Sequence, residues 1–151
     1  MNLDAVDLAI LRVLDRDARL PVAQVAEAAS VSRATAYNRI GRMQDAGIIR
    51  RYTIATDPQR VGCGSAALVL LTGGQLNRHE LREQLTNIPA VRFAAFLAGG
   101  FDIAVLLRGR SLAEIRDVVM EQLHQLPGIR GTQTFFVLDE VADRINILPE
   151  P

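Results

Sequence analysis

Between residues 32 and 51 the chain concentrates short polar side chains and arginines, which are residue types that bind nucleic acids. Asparagine can pair with the edge of adenine, and arginine can bind guanine or a backbone phosphate. The net charge of the whole chain is zero, but residues 30–60 hold six arginines and two acidic residues. We therefore expect a DNA-binding surface here rather than an ordinary solvated helix face. The candidate residues are Ser32, Arg33, Ala34, Thr35, Asn38, Arg39, Arg42, Arg50 and Arg51.

A second group of residues surrounds two adjacent glycines, which leave space beside a turn where a small ligand can approach the backbone. Asp102 follows closely, and its carboxylate could pair with the α-amino group of an amino acid. Two threonines of the last predicted strand are further candidates from a neighbouring subunit. The alternative is that Gly-Gly followed by an acidic residue simply forms a good hairpin turn. The candidate effector residues are Gly99, Gly100, Phe101, Asp102, Thr132 and Thr134.

Catalytic and metal chemistry find no support in the sequence. No nucleophile with a base, carboxylate pair or metal cluster is visible, and His79 and His124 are isolated. The single cysteine, Cys63, predicts neither a disulfide nor a metal site. No apolar run approaches the ~20 residues needed to span a bilayer, and residues 1–4 do not begin a signal peptide. We expect a cytoplasmic protein without catalytic site, metal or cofactor.

Helical spacing predicts three helices that position the basic segment. The first covers about residues 5–16 behind Asp4, a good N-cap. Pro21 suits the first turn of a short second helix. The third runs from Arg33 to Ala46 behind the N-cap Ser32. A short helix, a brief turn and a capped helix are typical of a helix-turn-helix.

The third predicted helix has an apolar face and a polar face. Ala36, Ile40 and Met43 recur at helical spacing and are expected to pack inward, which turns the candidate residues outward. Residues 48–54 are β-branched and aromatic side chains with polar ones interleaved, so we expect a strand that begins a wing. The two arginines in this strand would then lie close to phosphates.

The second half of the chain has the pattern of a different domain. Apolar strands and capped helices follow in the order β-α-β-β-α-β, which predicts a ferredoxin-like α+β fold with four antiparallel strands and two helices on one face. The segment at 85–92 is echoed at 123–130, and each copy joins a helix to a strand. We expect domains at 1–60 and 61–151. The predicted strands cover about residues 66–71, 91–97, 101–107 and 130–138.

An uncovered sheet face predicts self-association. Helices on one side of the sheet leave its other side without cover. Phe135 and Phe136 point in opposite directions along the last strand, so at least one face presents a large apolar side chain. Face-to-face dimerisation would bury it.

Short motifs in both halves follow a shared order. In the first half they are Leu3-Asp4, Asp7, Ile10-Leu11, Ala18-Arg19, Val31-Ser32, Arg39-Ile40, Gly47-Ile48-Ile49, Tyr52 and Asp57-Pro58. In the second half they are Gly99-Gly100-Phe101-Asp102, Leu126-Pro127-Gly128-Ile129 and the strand from Thr132 to Leu138. Taken together, this order resembles the leucine-responsive/asparagine regulator (Lrp/AsnC, feast/famine) family. Arg51 and Gly100 depart from the family pattern, which usually has glycine and often an acidic residue at these positions.

The resemblance implies a winged helix-turn-helix followed by a ferredoxin-like regulation-of-amino-acid-metabolism domain. Such proteins are transcriptional regulators that bind double-stranded DNA as dimers, commonly assembled into octamers. They sense amino acids or related metabolites at interfaces between dimers. Two alternatives remain open at this point: a siroheme-decarboxylase-like enzyme, which resembles the same two-domain family, and a metabolite sensor that does not bind DNA. The basic third helix favours the regulator.

Overall fold

The structure is a computed structural model that describes residues 2–141 and residue 148. By packing, the described chain divides into two compact units, residues 2–55 and residues 56–141. Each unit has its own hydrophobic core. The predicted domains, 1–60 and 61–151, include residues outside the described ranges, and their extents stay a prediction.

The N-terminal unit consists of three helices. They are α1 (Ala5–Arg16), α2 (Val22–Ala28) and α3 (Arg33–Asp45). The predicted cap of α1 is confirmed, because the Asp4 carboxylate accepts hydrogen bonds from the amides of Val6 and Asp7. The Asp7 carboxylate in turn accepts from the Asp4 amide at 3.1 Å. This reciprocal capping box satisfies amides that the first turn of a helix leaves without partners.

The helix-turn-helix prediction is confirmed in its packing. Ala36, Ile40 and Met43 of α3 are buried, as expected, in one apolar cluster with Ile10 and Val25. Because all three lie on one face, the opposite face of α3 points to solvent. The second and third helices are too short to be stable alone, so this shared core sets their arrangement.

Turn residues determine where α3 begins and ends. The Ser32 hydroxyl accepts a hydrogen bond from the Thr35 amide and caps the helix. Gly47 ends it with φ at +69°, a left-handed conformation that glycine adopts without a steric penalty. Ser30, in the turn before α3, has φ at +55° although it carries a side chain. The turn therefore contains a conformation that is usually left to glycine, asparagine or aspartate.

The predicted wing strand is not formed among the described residues. Residues 50–57 have no secondary structure, and no described strand pairs with residues 48–54. Ile48 and Ile49 pack instead against the core of the helical unit. Side chains with strand propensity do not make a strand by themselves, because the backbone also needs a hydrogen-bonding partner. The expectation of a strand over this segment was therefore wrong for the described residues.

The C-terminal unit confirms the ferredoxin-like prediction. Its elements are β1 (Ser65–Gly73), α4 (Arg78–Thr86), β2 (Val91–Phe96), β3 (Ile103–Gly109), α5 (Leu112–Val118), a π-helical turn (Val119–Leu123) that continues α5, and β4 (Ile129–Phe136). The four strands form one antiparallel sheet in the order β2-β3-β1-β4. Strands β3 and β1 are therefore central, and β2 and β4 are the edge strands.

The two faces of this sheet differ in cover. Val69, Leu71 and Val105 are fully buried against side chains of the two helices. The opposite face, which we call the open face, carries alternate residues of the same strands. Strand register places Leu68 of β1 beside Phe135 of β4 on that face, and both are exposed. The same face also carries the polar residues Gln133 and Arg108. Its apolar residues include Leu68, Leu70, Phe93, Ala95, Ala104, Leu106 and Phe135.

Candidate functional site

The outward face of α3 is where the structure brings the DNA-binding candidates together. Arg33, Ala34 and Asn38 are exposed there, and Ser32 is exposed just before them. They occupy the first two turns, the part of a recognition helix that meets base edges. Thr35 is half-buried, and its hydroxyl lies 2.8 Å from that of Ser32. The two hydroxyls therefore support the start of the helix as well as its surface.

Two residues on this face were missed by the sequence reasoning. Tyr37 is 69% exposed and lies between the candidates Thr35 and Asn38 in the sequence. Gly41 lies one turn further along, and a Cβ placed on it would meet nothing within 4 Å. Helical periodicity was the available signal, because positions 33, 37 and 41 share one side of a helix. The aromatic side chain of Tyr37 can contact DNA, and the absence of a side chain at Gly41 lets DNA approach the helix backbone closely.

Arg39 and Arg42 point back toward α1 rather than simply outward. Arg39 donates hydrogen bonds to the carboxylates of Asp4 and Asp7, the second at 3.0 Å. Arg42 donates to both oxygens of Asp7 at 3.3 and 3.2 Å. The sequence predicted these arginines as contacts to DNA, mainly to its phosphates. The structure gives both of them acidic partners within the protein.

This cluster also perturbs ionisation. The hydrogen bond from Arg39 is the main cause that lowers the pKa of Asp4 from its ordinary 3.8 to about 2. The same hydrogen bond is the main cause that raises the pKa of Arg39. Each partner thus favours the charged form of the other.

The other three candidate arginines have no such partners among the described residues. Arg33 lies at the start of α3, and Arg50 and Arg51 lie in the extended stretch that follows it, all exposed. None of the three forms an ion pair with another residue of the described ranges. Their charge is therefore available to a phosphate.

The effector candidates lie at one end of the sheet. Gly99 and Gly100 are in the loop between β2 and β3, and a Cβ at either position would meet no atom within 4 Å. Strand β3 starts at Ile103, two residues later than predicted. Just before it, the Asp102 amide donates to the Leu71 carbonyl, and the Asp102 Oδ2 accepts from the Gly73 amide at 2.9 Å. One oxygen of the candidate carboxylate, that of Asp102, is thus engaged in a hydrogen bond to the end of β1.

Thr132 and Asp102 flank the same strand. Thr132 pairs with Leu71 in the sheet, on the side of β1 opposite to Asp102. Its hydroxyl forms a hydrogen bond with Nε2 of His124. Thr134 lies two residues further along β4. The candidates therefore share an edge of the unit but are separated by β1.

Two further properties concern the described residues as a whole. No helix in residues 2–141 combines the length and apolarity that crossing a membrane would require. Within the same residues, no group of three or more histidine, cysteine, aspartate or glutamate side chains could hold a metal ion.

Comparison with known families matches both halves of the chain. Residues 3–44 match the AsnC-type helix-turn-helix domain. Residues 66–147 match the Lrp/AsnC ligand binding domain, which alone covers more than half of the sequence.

Individual proteins give the same result over nearly the full length. The transcriptional regulator AldR of Mycolicibacterium smegmatis is 32% identical over 143 residues, which cover 93% of this chain and 84% of AldR. Transcriptional regulator NMB0573 of Neisseria meningitidis, solved as an L-Met complex, has a TM-score of 0.88 at 24% identity, covering 97% and 96% of the two chains. E. coli AsnC has a TM-score of 0.85 at 24% identity and covers 99% and 100%.

Proposed function

This chain belongs to the Lrp/AsnC family of transcriptional regulators, and we propose that it binds operator DNA through the outward face of α3 under the control of an amino acid or a related metabolite. It is a regulator rather than an enzyme such as a siroheme decarboxylase. The observation that carries the DNA proposal is the division of α3 into a buried apolar face and an exposed face with polar and aromatic residues. A regulator of this kind acts where the chromosome lies, so we place it in the cytoplasm.

The exposed face of α3 suits the major groove. Its first two turns carry Asn38, which can pair with adenine, beside Ala34 and Tyr37, which offer apolar and aromatic contact. Thr35 is a further candidate for a base edge. We assign the phosphates to the arginines at both ends of the surface, Arg33 and the pair after α3, because phosphate contacts position the protein without reading sequence.

We propose that the open face of the sheet pairs with that of a second copy. Large apolar side chains, including Phe93 and Phe135, are about half exposed on it. Contiguous apolar surface of this kind is typical of interaction sites. A two-fold dimer would present two α3 helices, so bound sites should be imperfect palindromes with half-sites about one helical turn apart, or a multiple. Larger assemblies, up to the octamers implied by the resemblance, would build on this dimer.

The effector proposal places the ligand at the loop with Gly99 and Gly100. Open space at both glycines supports this location, and the L-Met complex of the Neisseria regulator supports an amino acid as the ligand. Asp102 has one oxygen engaged by the Gly73 amide, while Oδ1 has no hydrogen-bond partner among the described residues. That oxygen could receive an α-amino group. Phe101, with Thr132 and Thr134 of a neighbouring subunit, completes the proposed surroundings.

Selection from a random-sequence duplex library tests the DNA proposal. The full chain should enrich palindromic duplexes, and Arg33→Gln should weaken binding to every duplex while lowering the slope of log affinity against log salt by about 0.9. Arg116→Gln is the matched control, because this exposed arginine of α5 pairs with Asp117 and lies outside the proposed surface. Absence of duplex binding by the parent at low salt would leave the chain as a sensor without DNA and overturn the proposal.

The effector proposal needs a second measurement. Each common amino acid is added singly to the parent with an enriched duplex, and affinity and assembly size are recorded. We expect at least one to change affinity or size. Asp102→Asn should then require more of that amino acid for the same response. A parent that responds to none of them would remove this part of the proposal.

A further inference from the structure

A buried carboxylate lies between α1 and α3. Asp7 is 0% exposed, and it is the one charged residue that is buried among the described residues. Its oxygens accept from the Asp4 amide and from the guanidinium groups of Arg39 and Arg42, which lie 32 and 35 residues away in sequence. An ionised carboxylate is unfavourable away from water unless charged partners and hydrogen bonds compensate it. The packing of α3 against α1 therefore depends on arginines that α3 itself supplies.

The two arginines are engaged to different degrees. Arg39 bridges two carboxylates, Asp4 and Asp7, and only 25% of its side chain is exposed. Arg42 pairs with Asp7 alone and is 53% exposed. Arg39 therefore has little surface left for another anion, whereas Arg42 keeps about half of its side chain in solvent.

We propose that Asp7 and Arg39 form an alignment pair that sets the angle of α3 against α1, so that Arg39 is a positioning residue and Arg42 a phosphate contact. This inference rests on the proposed DNA-binding function. Arg39 is adjacent to Asn38 and one turn after Thr35, so the pair holds the backbone from which both candidate base contacts extend. Groups that read bases need such support, because small displacements remove their hydrogen bonds.

The same substitution at both arginines separates the two roles. The probes are a duplex enriched by the parent from a random-sequence library and a scrambled duplex of equal length. Arg42→Gln should lower the salt slope by about 0.9 on both duplexes and leave the preference between them unchanged. Arg39→Gln should leave the salt slope unchanged and reduce the preference for the enriched duplex by about 5- to 150-fold, the loss of a base contact.

A second variant guards against misfolding of Arg39→Gln, which leaves Asp7 buried with less compensation. In Asp7→Asn/Arg39→Gln the incompletely compensated charge of Asp7 is removed as well, so the unfolding midpoint in urea should return toward that of the parent. Its preference for the enriched duplex should stay low, because the charged pair that aligns α3 is still missing. A purely structural role would instead restore preference along with stability.

The inference is overturned if Arg39→Gln lowers the salt slope as much as Arg42→Gln does. It is equally overturned if the double variant discriminates between the duplexes as well as the parent. A parent that binds neither duplex is a different result, since it refutes the proposed DNA-binding function itself.

Discussion

The two units of this chain depart from ordinary burial in opposite directions. The helical unit places a carboxylate, Asp7, at 0% exposure, while the sheet unit leaves Phe93 and Phe135 about half exposed. Proteins usually bury apolar side chains and leave charged ones in water. The first departure is compensated inside the unit, since arginines of α3 bind the buried carboxylate. The second has no such compensation among the described residues of its unit.

This difference shows whether each unit stabilises its unusual residues by itself or needs another surface to do so. A buried ion cluster restricts geometry, because charged hydrogen bonds tolerate little change in distance or angle. An exposed apolar face lacks this restriction, and it gains stability only when another surface removes it from water. We therefore interpret the helical unit as complete in itself, with α3 held in place to present its outward face. The sheet unit, in contrast, is interpreted as one half of an interface.

The largest effect is expected on the covered side of the sheet. Leu71→Ala removes a side chain that is fully buried beneath the helices, and it should lower the free energy of unfolding by about 2–5 kcal/mol. Urea unfolding measures this. Leu112→Ala is the control, since Leu112 is about half exposed at the start of α5 and should change stability by less than about 0.5 kcal/mol. Equal losses in the two variants would contradict the assignment of the covered face.

The open face is tested by neighbouring phenylalanines on β4. Phe135→Glu places like charges opposite each other in the proposed dimer, so the dissociation constant measured by sedimentation should rise about 100-fold or more. Phe136 has almost the same exposure, 44% against 46%, but pairs with Ala67 on the other face. Phe136→Glu should therefore keep the parental dimer. If both variants dissociate alike, the open face is not the dimer interface.

A smaller effect is expected on the surface that α3 presents. Tyr37→Ala should weaken binding to an enriched duplex by about 1–3 kcal/mol, because a contact in the groove is lost. Fluorescence anisotropy of labelled duplex measures it. Gln44→Ala lies on the same side of α3 almost two turns later, and it should bind as the parent does. Parental affinity in Tyr37→Ala would exclude this side chain from the interface.

The smallest effect concerns acid. Since the pKa of Asp4 is lowered to about 2 in the folded chain, its carboxylate stabilises the fold above about pH 4, and this contribution is lost as pH falls toward 2. Asp4→Asn lacks the titrating group, so its stability deficit relative to the parent should shrink over that interval. Urea unfolding at stepped pH values compares the two. A deficit that stays constant from pH 4 to pH 2 would be inconsistent with the Asp4–Arg39 pair.

Local chemistry made much of the fold predictable. The caps Asp4 and Ser32 and the inward face of α3 follow from interactions between residues two to four apart, which the sequence displays directly. The order of strands and helices also follows from local alternation and capping. Which face of the sheet is covered could not be predicted in this way, because β1 carries apolar side chains on both of its faces.

Tertiary structure decided the features that depend on distant partners. Arg39 and Arg42 meet an acid more than 30 residues earlier only because α3 packs against α1 at one angle. Residues 48–54 have strand-like side chains, yet a strand forms only where another backbone offers hydrogen bonds. In the sequence, the carboxylate of Asp102 was expected to be available to a ligand, but in the folded sheet one of its oxygens accepts a hydrogen bond from the Gly73 amide. The sequence by itself thus determined the capped helices, the order of the sheet strands and the inward face of α3. Long-range packing determined whether a further strand forms and which charged groups remain available to bind.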